Sequence, residues 1–516
     1  MVRRKDQKKK QIKTEDDRKD IKSEESCYHS YADEVEIQCL RSDLLQWYDA
    51  NKRDLPWRQL AKLADLNKRA YSVWVSEIML QQTQVATVIN YYERWMKKWP
   101  TLQDLARANL EEVNEMWSGL GYYSRGRRLH EGAQKVVNEM DGEMPTTAET
   151  LLKLLPGVGK YTAGAIASIA FNEVTGVVDG NVIRVLSRAR AIGADSTSQH
   201  VIDALWSLAN KLVDPNRPGD FNQAMMELGA TVCTPKTPQC SECPLKSYCR
   251  AYAKVEKHKT KSTQKLLRKV KEEKKEIKNE ESGETRYSEI NIPDIECVTE
   301  GCRLCIPPDE SWDSSQGVMN FPRKPKKKPP REEKTAVCII VRQNQNGEAE
   351  FLLVQRPDKG LLANLWEFPS VQVNAELSEK KRQIAMDSYL REKLPSIEVS
   401  TQRNRSYIGE VVHIFSHIHQ TYMVETFTVD FSETTCDNCH DNSDAQRPWK
   451  WMTKEDFTSS AISTAVKKIF KAYESLNGLP KKGSTKRKAS GPTSGEKDKK
   501  KQMGLEAFFK PKPKTV

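Results

Sequence analysis

Apolar and polar positions divide the chain into regions of different periodicity. Between residues 35 and 253, apolar side chains recur every three or four residues, as in Val73, Trp74 and Ile78, and β-type alternation is rare. This spacing places apolar side chains on one face of a helix. We therefore predict an all-helical domain over residues 35–253.

A second pattern begins at residue 335. Two apolar runs, residues 335–341 (TAVCIIV) and 351–354 (FLLV), flank the turn-forming residues 344–347 (NQNG). Short apolar runs around such a turn predict a β-hairpin. Because a helical pattern follows over residues 462–473, residues 335–477 are predicted to form an α/β domain.

The rest of the chain has few of the apolar side chains that a folded core requires. Residues 1–34 and 254–334 are dominated by charged side chains, and residues 478–516 by Lys, Ser, Thr, Gly and Pro. Such segments cannot offset the entropy of folding. We predict a disordered arm, an interdomain linker and a disordered basic tail, which makes the chain a multidomain protein with two folded domains.

Composition narrows the classes of partner. The 516 residues carry a net charge of +12 and a pI near 8.9, which favours a polyanionic partner, although charge of this size also serves solubility. No apolar stretch is long enough to cross a bilayer, and the opening residues MVRRK are too charged for a secretory signal. We therefore expect the cysteines to lie in a reducing compartment.

Four cysteines form the densest chemical motif of the chain. Cys233, Cys240, Cys243 and Cys249 are separated by six, two and five residues, with prolines between them. Four thiolates at this spacing can surround one metal centre. The spacing alone does not distinguish an iron–sulfur cluster from zinc.

A glycine-rich turn lies upstream of the cysteines. Residues 155–160 (LPGVGK) join an apolar helix to the small-residue segment 162–167 (TAGAIA), which predicts a helix-hairpin-helix. Gly157 and Gly159 would let backbone N–H groups approach DNA phosphates at the start of the second helix. An ordinary turn between two helices is the alternative.

Together these motifs resemble the adenine DNA glycosylases of the MutY family, in the endonuclease III superfamily, over most of residues 35–475. The resemblance implies a [4Fe–4S] cluster on the four cysteines. It also implies an enzyme that removes adenine mispaired with 8-oxoguanine or G and leaves an abasic site for base excision repair. Besides the hairpin and the cysteine loop, the matching segments are residues 55–58 (LPWR), 74–85 (WVSEIMLQQTQV), 119–125 (GLGYYSR) and 178–182 (VDGNV).

Two carboxyl groups are predicted to perform the chemistry. Apolar neighbours leave Glu77 little water, so its carboxyl should keep a proton and act as a general acid, unless it is paired with an arginine. The resemblance makes it the proton donor to adenine N7. Asp179 could be a helix cap or could stabilise the cationic sugar. The resemblance favours the second role, with Asn181 in support.

Residue 161 distinguishes two activities. Related enzymes that also cut the strand through a Schiff base carry a lysine at this position, whereas this chain has Tyr161, preceded by Lys160. A phenol cannot form an imine. We therefore predict a monofunctional glycosylase in which Tyr161 orients the nucleotide or the other catalytic groups, although it could also be a packed aromatic.

Base removal from duplex DNA requires the base to be flipped out of the stack, and side chains must fill the gap. The resemblance places Gln82 and Tyr122 near the opposite base, and Arg58 and Gln223 in the adenine pocket. From the sequence alone, each of these side chains could equally be structural or solvated.

The C-terminal domain resembles a Nudix (MutT-like) domain around residues 360–369 (GLLANLWEFP). The carboxylate-rich motif that binds metal in Nudix hydrolases is absent after Phe368, which favours a reader domain over a hydrolase. In the family this domain senses 8-oxoguanine, and Phe415, Ser416 and His417 match the loop that faces the lesion.

A second cysteine group lies in the linker. Cys297, Cys302 and Cys305 suit zinc, and the family resemblance includes animal relatives with a zinc-binding linker, but the sequence shows no fourth ligand.

The tail contains residues 502–509 (QMGLEAFF), which have the form of a sliding-clamp peptide. One helical turn would present Leu505, Phe508 and Phe509 to an apolar pocket, with Gln502 beside them. The resemblance implies binding to the sliding clamp, proliferating cell nuclear antigen, and through the linker to the checkpoint clamp.

Two other functions compete with a monofunctional adenine glycosylase. One is a bifunctional glycosylase and lyase for oxidised pyrimidines, which Tyr161 and the Nudix-like domain oppose. The other is a catalytically silent DNA-damage adaptor, which the intact Glu77 and Asp179 oppose. We expect a monomer that is bound to no membrane. The basic clusters of the tail resemble nuclear-import signals, so we expect the protein in the nucleus, with the mitochondrion as a second candidate location.

Overall fold

The computed structural model describes two folded domains and part of the segment between them. The described residues are 28–31, 33–276, 297, 301–307, 309–324, 329–358, 360, 362–373, 378–395, 403–415, 417–429, 438–439 and 447–477. Ser416 and residues 478–516, which contain the predicted clamp peptide, lie outside them. None of the described helices has the length and hydropathy needed to span a membrane.

The first domain is helical, as predicted. Its helices are α1 (Glu34–Asn51), α2 (Pro56–Leu60), α3 (Leu66–Leu80), α4 (Val85–Lys98), α5 (Leu102–Arg107), α6 (Leu110–Trp117), α7 (Ser124–Glu139), α8 (Ala148–Leu154), α9 (Lys160–Phe171), α10 (Gly180–Ala189), α11 (Gln199–Leu212), α12 (Pro218–Thr231) and α13 (Arg250–Glu276). The side chains of the residues that directly precede three of these helices fix their N-terminal boundaries. Thr101, Asn109 and Thr147 each form a reciprocal capping box with the third residue of the helix that follows.

Two apolar cores hold the helical domain together. One core contains Trp74, Trp95 and Trp117, and the other contains Tyr48 and Phe221. Helix α3 lies in the first core and α10 in the second, and their ends meet between the two. This junction positions the candidate active site.

The second domain is α/β, as predicted. Its elements are β1 (Arg331–Gln343), β2 (Ala349–Gln355), β3 (Trp366–Glu367), β4 (Ser370–Val373), α14 (Glu379–Lys393), β5 (Arg403–Ile414), β6 (Ile418–Thr428), β7 (Asn438–Cys439), β8 (Trp449–Met452), α15 (Lys454–Ser459) and α16 (Thr464–Asn477). The main sheet order is β5-β6-β1-β2-β8-β7, with β3 beside β2 and β4 beside β1. The predicted hairpin is confirmed, since β1 and β2 pair antiparallel with Val341 opposite Phe351.

The two domains pack directly against each other. Leu365 and Ala461 of the α/β domain are buried within the core of the helical domain. Polar contacts surround this apolar centre, because Arg127 donates to the Asp358 carbonyl (2.7 Å) and Lys450 pairs with Glu111 (3.3 Å). The α/β domain is therefore held at one side of the helical domain.

The predicted boundaries of the arm and linker differ from the structure. Tyr31, assigned to the disordered arm, is buried, and so are Val318 and Phe321 of the predicted linker. Helix α13 also continues through the predicted boundary at residue 253. Charge density hid these contacts, because a few apolar anchors dock each segment onto the C-terminal end of α10.

Candidate active site

Glu77 lies in the last turn of α3 and is 6% exposed. Burial raises the pKa of its carboxyl to about 7, and the nearby Asp179 adds to this effect, whereas a hydrogen bond from Tyr161 opposes it. The Tyr161 hydroxyl donates to Glu77 Oε2 at 2.7 Å. Burial thus moves the pKa of Glu77 in the direction that a proton donor near neutral pH requires.

Asp179 caps the N-terminus of α10. Its Oδ1 accepts hydrogen bonds from the backbone N–H groups of Asn181 (2.9 Å) and Val182 (2.7 Å). Its Oδ2 accepts from the Asn181 side-chain amide at 2.8 Å. Burial raises the pKa of Asp179, and the hydrogen bonds to its carboxylate oppose the rise. The cap holds the carboxylate at one wall of the cavity that Glu77 also lines.

One cavity brings most of the predicted catalytic and base-binding residues together. Its volume is about 540 Å³, which lies in the range of small-molecule sites. The predicted residues that line it are Arg58, Glu77, Gln82, Tyr161, Asp179, Asn181 and Gln223. The α2 segment, the end of α3 and the starts of α9 and α10 thus converge on one site.

The floor of the cavity contains an ion-pair cluster that the sequence analysis missed. Glu227 is buried and accepts from Arg53 Nε (2.6 Å) and Arg58 Nη2 (2.9 Å). Although burial opposes its ionisation, the two guanidinium groups lower the pKa of Glu227. Arg58 Nε also donates to Gln223 Oε1 at 3.2 Å, so the polar edges of the pocket are fixed before any base enters.

The helix-hairpin-helix is present between α8 and α9. Gly157 adopts φ +77°, and a Cβ there would lie 2.9 Å from the side chain of Arg128. Gly159 is the N-cap residue that precedes α9, and a Cβ there would meet open space. The first N–H groups of a helix have no intrahelical partner, and Gly159 and Lys160 are exposed, so a phosphate could approach the start of α9.

Gln82 and Tyr122 share an unusual backbone. Both have positive φ, 54° and 50°, although neither is glycine, and both side chains are exposed. Such conformations often occur at functional sites. Arg125, to which the sequence analysis assigned no role, links their loops, since it donates to the carbonyls of Gln81 and Gly121.

A second cavity of about 310 Å³ lies between the two domains. Tyr122 and Tyr123 line it from the helical side, and Phe415 and His417 line it from the α/β side. Tyr122, the candidate wedge residue that is predicted to fill the gap left by the flipped base, and the predicted reader residues Phe415 and His417 therefore line the same cavity.

The four cysteines of the loop after α12 line one small cavity of about 30 Å³. Arg188 donates to Cys233 Sγ at 3.3 Å, which suits a thiolate that is bound to metal. Cys233, Cys240, Cys243 and Cys249 can therefore hold a compact metal centre.

Arg184 links the cysteine loop to the catalytic cavity, a connection that the sequence analysis missed. Its Nε donates to the Cys233 carbonyl at 2.7 Å, and its Nη2 donates to Asn181 Oδ1 at 2.7 Å. Asn181 in turn holds Asp179. The backbone carbonyl of Cys233 is thus linked to the Asp179 carboxylate through two residues, Arg184 and Asn181.

The linker cysteines gain a fourth partner. The ligand atoms of His29, Cys297, Cys302 and Cys305 lie within 4.8 Å of one another. His29 Nδ1 is 2.8 Å from the Arg190 carbonyl, so a proton on Nδ1 leaves Nε2 free, 3.2 Å from Cys305 Sγ. The sequence analysis missed His29 because it lies more than 260 residues away, in the predicted disordered arm.

Removal of a base from DNA requires a proton for the leaving base, negative charge near the sugar and a backbone surface that accepts phosphate. The cavity contains candidate groups for the first two, Glu77 and Asp179, and the hairpin is a candidate for the third. The fold and the cavity together define a helix-hairpin-helix DNA glycosylase.

Comparisons with known proteins agree with this class. Residues 75–211 match the HhH-GPD superfamily base excision DNA repair protein model, residues 233–249 match the iron-sulfur binding domain of endonuclease III, and residues 336–472 match the NUDIX domain. The chain therefore contains an iron–sulfur cluster domain on the four cysteines and a Nudix domain.

Relatives that match most of the chain define its family more narrowly than the domain matches do. The chain is 52% identical to the adenine DNA glycosylase of Mus musculus over 94% of this chain and 87% of that protein, and 52% identical to that of Homo sapiens over 94% and 83%. It belongs to the adenine DNA glycosylase family, whose members act in base excision repair.

Similar solved structures cover single parts of the chain. A thermostable thymine-DNA glycosylase is 28% identical over 43% of this chain and 98% of its own, with a TM-score of 0.38. The C-terminal domain of mouse MUTYH, in complex with human PCNA, is 34% identical over 28% of this chain and 90% of its own, with a TM-score of 0.22.

Proposed function

We propose that this enzyme is a monofunctional glycosylase that removes adenine paired with 8-oxoguanine, and with lower preference adenine opposite G, and leaves an abasic site. The observation that carries the proposal is the pair of cavities. One cavity is lined by Glu77, whose carboxyl has a pKa raised to about 7, and by Asp179, and the other is lined by Tyr122 and by residues of the Nudix domain.

The chemical step requires a proton and a negative charge on opposite sides of one bond. With a pKa near 7, Glu77 can give its proton to N7 of a flipped adenine, so that the base leaves as a neutral molecule. The sugar then becomes cationic, and Asp179 stabilises it by charge or by a transient bond until water adds. Tyr161 positions Glu77 through the 2.7 Å hydrogen bond.

Single activity is supported by the lining of the catalytic cavity. Among the described residues that line it, none is a lysine. Lys160 lies beside Tyr161 in the sequence, but its ammonium group is 4.1 Å from the centre of the Trp206 ring. The described lining of the cavity therefore offers no lysine amine that could attack the sugar. Borohydride should consequently trap little covalent enzyme–DNA product during turnover. Efficient trapping would overturn the monofunctional proposal.

Lesion reading is supported by the interdomain cavity. Phe415 and His417 lie in the turn between β5 and β6, and the Phe415 ring packs edge-on against the His413 ring with 4.5 Å between their centres. Their side chains can test the base that Tyr122 leaves opposite the flipped adenine. Each base contact typically contributes ~1–3 kcal/mol to discrimination.

Single-turnover rates on three duplexes test the main proposal. Release should be fastest with A opposite 8-oxoguanine, slower with A opposite G, and undetectable with an oxidised pyrimidine. His417→Ala should lower the preference for 8-oxoguanine by about tenfold or more. His200→Ala, which changes a histidine outside both cavities, is the matched control. Equal rates on the first two duplexes with the unaltered enzyme would overturn the proposal.

We further propose that His29, Cys297, Cys302 and Cys305 bind one zinc ion. Three thiolates and an imidazole are a common structural zinc set. Metal analysis should find about one zinc per chain beyond the iron of the cluster, and His29→Ala or Cys302→Ser should remove it. Full zinc content in both variants would exclude this site.

We also propose that Gln502, Leu505, Phe508 and Phe509 bind a sliding clamp, and that the enzyme works in the nucleus. The sequence pattern of the tail supports this. A Phe508→Ala, Phe509→Ala double variant should lose affinity for the clamp while Met503→Ala keeps it, and equal affinities would refute the assignment. Fluorescent tagging of the full chain tests its location.

A further inference from the structure

The loop that carries Tyr122 is tied to the Nudix domain through one backbone carbonyl. We define residues 118–123 as the wedge loop. The Ser118 hydroxyl and the Tyr123 hydroxyl both donate to the Ile462 carbonyl at 3.3 Å. Lys467 of α16 in turn donates to Ser118 Oγ at 3.2 Å. These contacts join the helical domain to the start of α16.

Tyr123 occupies a special place in this link because its hydroxyl has a partner in each domain. It accepts a hydrogen bond from the Gly119 N–H at 3.1 Å while it donates to Ile462. The side chain is 5% exposed, so water cannot easily replace either partner. Gly119 has φ +95°, and its position fixes the turn that leads to Tyr122.

The other end of the link lies at the interdomain cavity. Ser463, Thr464 and Ala465 follow Ile462 directly and line the same cavity as Phe415 and His417. Movement of this segment when the reader engages the opposite base would therefore pull on the Tyr123 hydroxyl and, through Gly119, on the wedge loop.

We propose that Tyr123 is a specificity-determining positioning residue that couples the fit of the Nudix domain on the opposite base to the position of the wedge Tyr122. This inference rests on the proposed reading of 8-oxoguanine. Tyr123 does not line the catalytic cavity, so it acts on recognition and not on bond cleavage.

Tyr123→Phe tests the coupling, because it keeps the buried ring and removes only the hydroxyl. The ratio of single-turnover rates, A opposite 8-oxoguanine over A opposite G, should fall about 3- to 10-fold, the range expected for one net hydrogen bond. The rate with G opposite should stay within about twofold. Ser118→Ala, which removes the second bond to Ile462, should lower the ratio in the same direction.

Tyr91→Phe is the matched control. The Tyr91 hydroxyl donates to the Ser118 carbonyl at 2.8 Å, so this variant also removes a phenol hydroxyl bound to the wedge loop, but one without a hydrogen bond to the described residues of the Nudix domain. It should leave the ratio unchanged. Melting temperatures of all variants separate a loss of coupling from a loss of fold, and Ser118→Ala serves if Tyr123→Phe does not fold.

The outcomes distinguish a failure of the Tyr123 coupling from a failure of the proposed function. If the unaltered enzyme prefers 8-oxoguanine and both Tyr123→Phe and Ser118→Ala keep that preference, or slow both reactions equally, this inference is wrong and the proposed function stands. If the unaltered enzyme shows no preference, the proposed function and this inference fall together.

Discussion

Individual residues in the catalytic cavity combine structural and chemical roles. Asp179 was interpreted from the sequence either as a helix cap or as a catalytic carboxylate, and the geometry allows both. Oδ1 serves the cap, whereas Oδ2 is held by the side chain of Asn181 at the cavity wall. The cap and the Asn181 side chain together fix the position of both carboxylate oxygens.

Glu77→Gln should lower adenine release by at least about 100-fold, because the amide cannot donate the proton while its volume is unchanged. Affinity for the lesion duplex should stay within about tenfold. Single-turnover rates and binding isotherms measure the two effects. Substantial residual release would show that another group protonates the base.

The pH dependence of the chemical step follows from the same carboxyl. Since the pKa of Glu77 is raised to about 7, the acid form is present below pH 7 and lost above it. The single-turnover rate should therefore fall as pH rises through 7, towards about tenfold per pH unit. A rate that stays constant from pH 6 to 9 would contradict this assignment.

Asp179→Asn separates the cap from the catalysis. Asparagine caps helices as well as aspartate does, so the melting temperature should change little. Adenine release should nevertheless fall strongly, because the neutral amide cannot stabilise a cationic sugar. Asp195→Asn, at a surface turn, is a matched control for the loss of one carboxylate. A near-normal rate would leave Asp179 with its cap role only.

The environment of a residue could be predicted from the sequence where its neighbours in the chain create that environment. The burial of Glu77 could be predicted from the apolar side chains on both sides of it. Glu227 and Arg53 could not, since their pairing joins positions 174 residues apart and each alone looks like a surface charge. Only the fold brings them together.

At the scale of elements, the helix-hairpin-helix shows how two glycines in one turn differ. Gly157 is required by its backbone conformation and by the closeness of Arg128, whereas Gly159 has neither constraint. If backbone conformation required glycine at both positions, an ordinary turn between two helices would explain the motif. The lack of a structural reason for Gly159 is consistent with close approach of a DNA phosphate.

Gly157→Ala and Gly159→Ala should therefore have different effects. The first should lower the free energy of unfolding by about 1–2 kcal/mol or more, because alanine is strained at positive φ. The second should leave stability within about 0.5 kcal/mol but weaken DNA binding, since a methyl group would lie between the backbone and the phosphate. Denaturant titration and duplex binding measure the pair. Unchanged DNA affinity of Gly159→Ala would favour the ordinary turn.

For the whole molecule, the sequence predicted the two folds but misplaced the boundaries of the segments between and before them. Composition identified residues 1–34 and 254–334 as poor in apolar side chains, which is correct on average. It could not show that Tyr31 and Phe321 pack onto the end of α10, or that His29 meets three distant cysteines. Contacts of this kind depend on a few side chains and leave no periodic pattern.

The arm and the linker should consequently depend on metal for their place on the helical domain. His29 lies between the Arg190 carbonyl and Cys305, so a zinc ion there would fasten residues 28–31 and 301–307 to the same helix end. His29→Ala should lower the melting temperature of the helical domain by about 4–8 °C if ~2 kcal/mol is lost. Hydrogen exchange in these two segments should rise with it.

Cys39→Ser, which changes an exposed cysteine of the same domain, is the control and should melt as the unaltered protein does. A chelator should reproduce the shift in the unaltered protein but add nothing in His29→Ala, with the visible absorbance of the cluster recorded to show that it stays intact. The metal would act on the docking of two segments and not on the catalytic cavity. At temperatures below the melting transition, the rate of adenine release by His29→Ala should therefore change little, although its melting temperature falls. Equal melting of His29→Ala and Cys39→Ser would mean that the apolar anchors alone hold both segments in place.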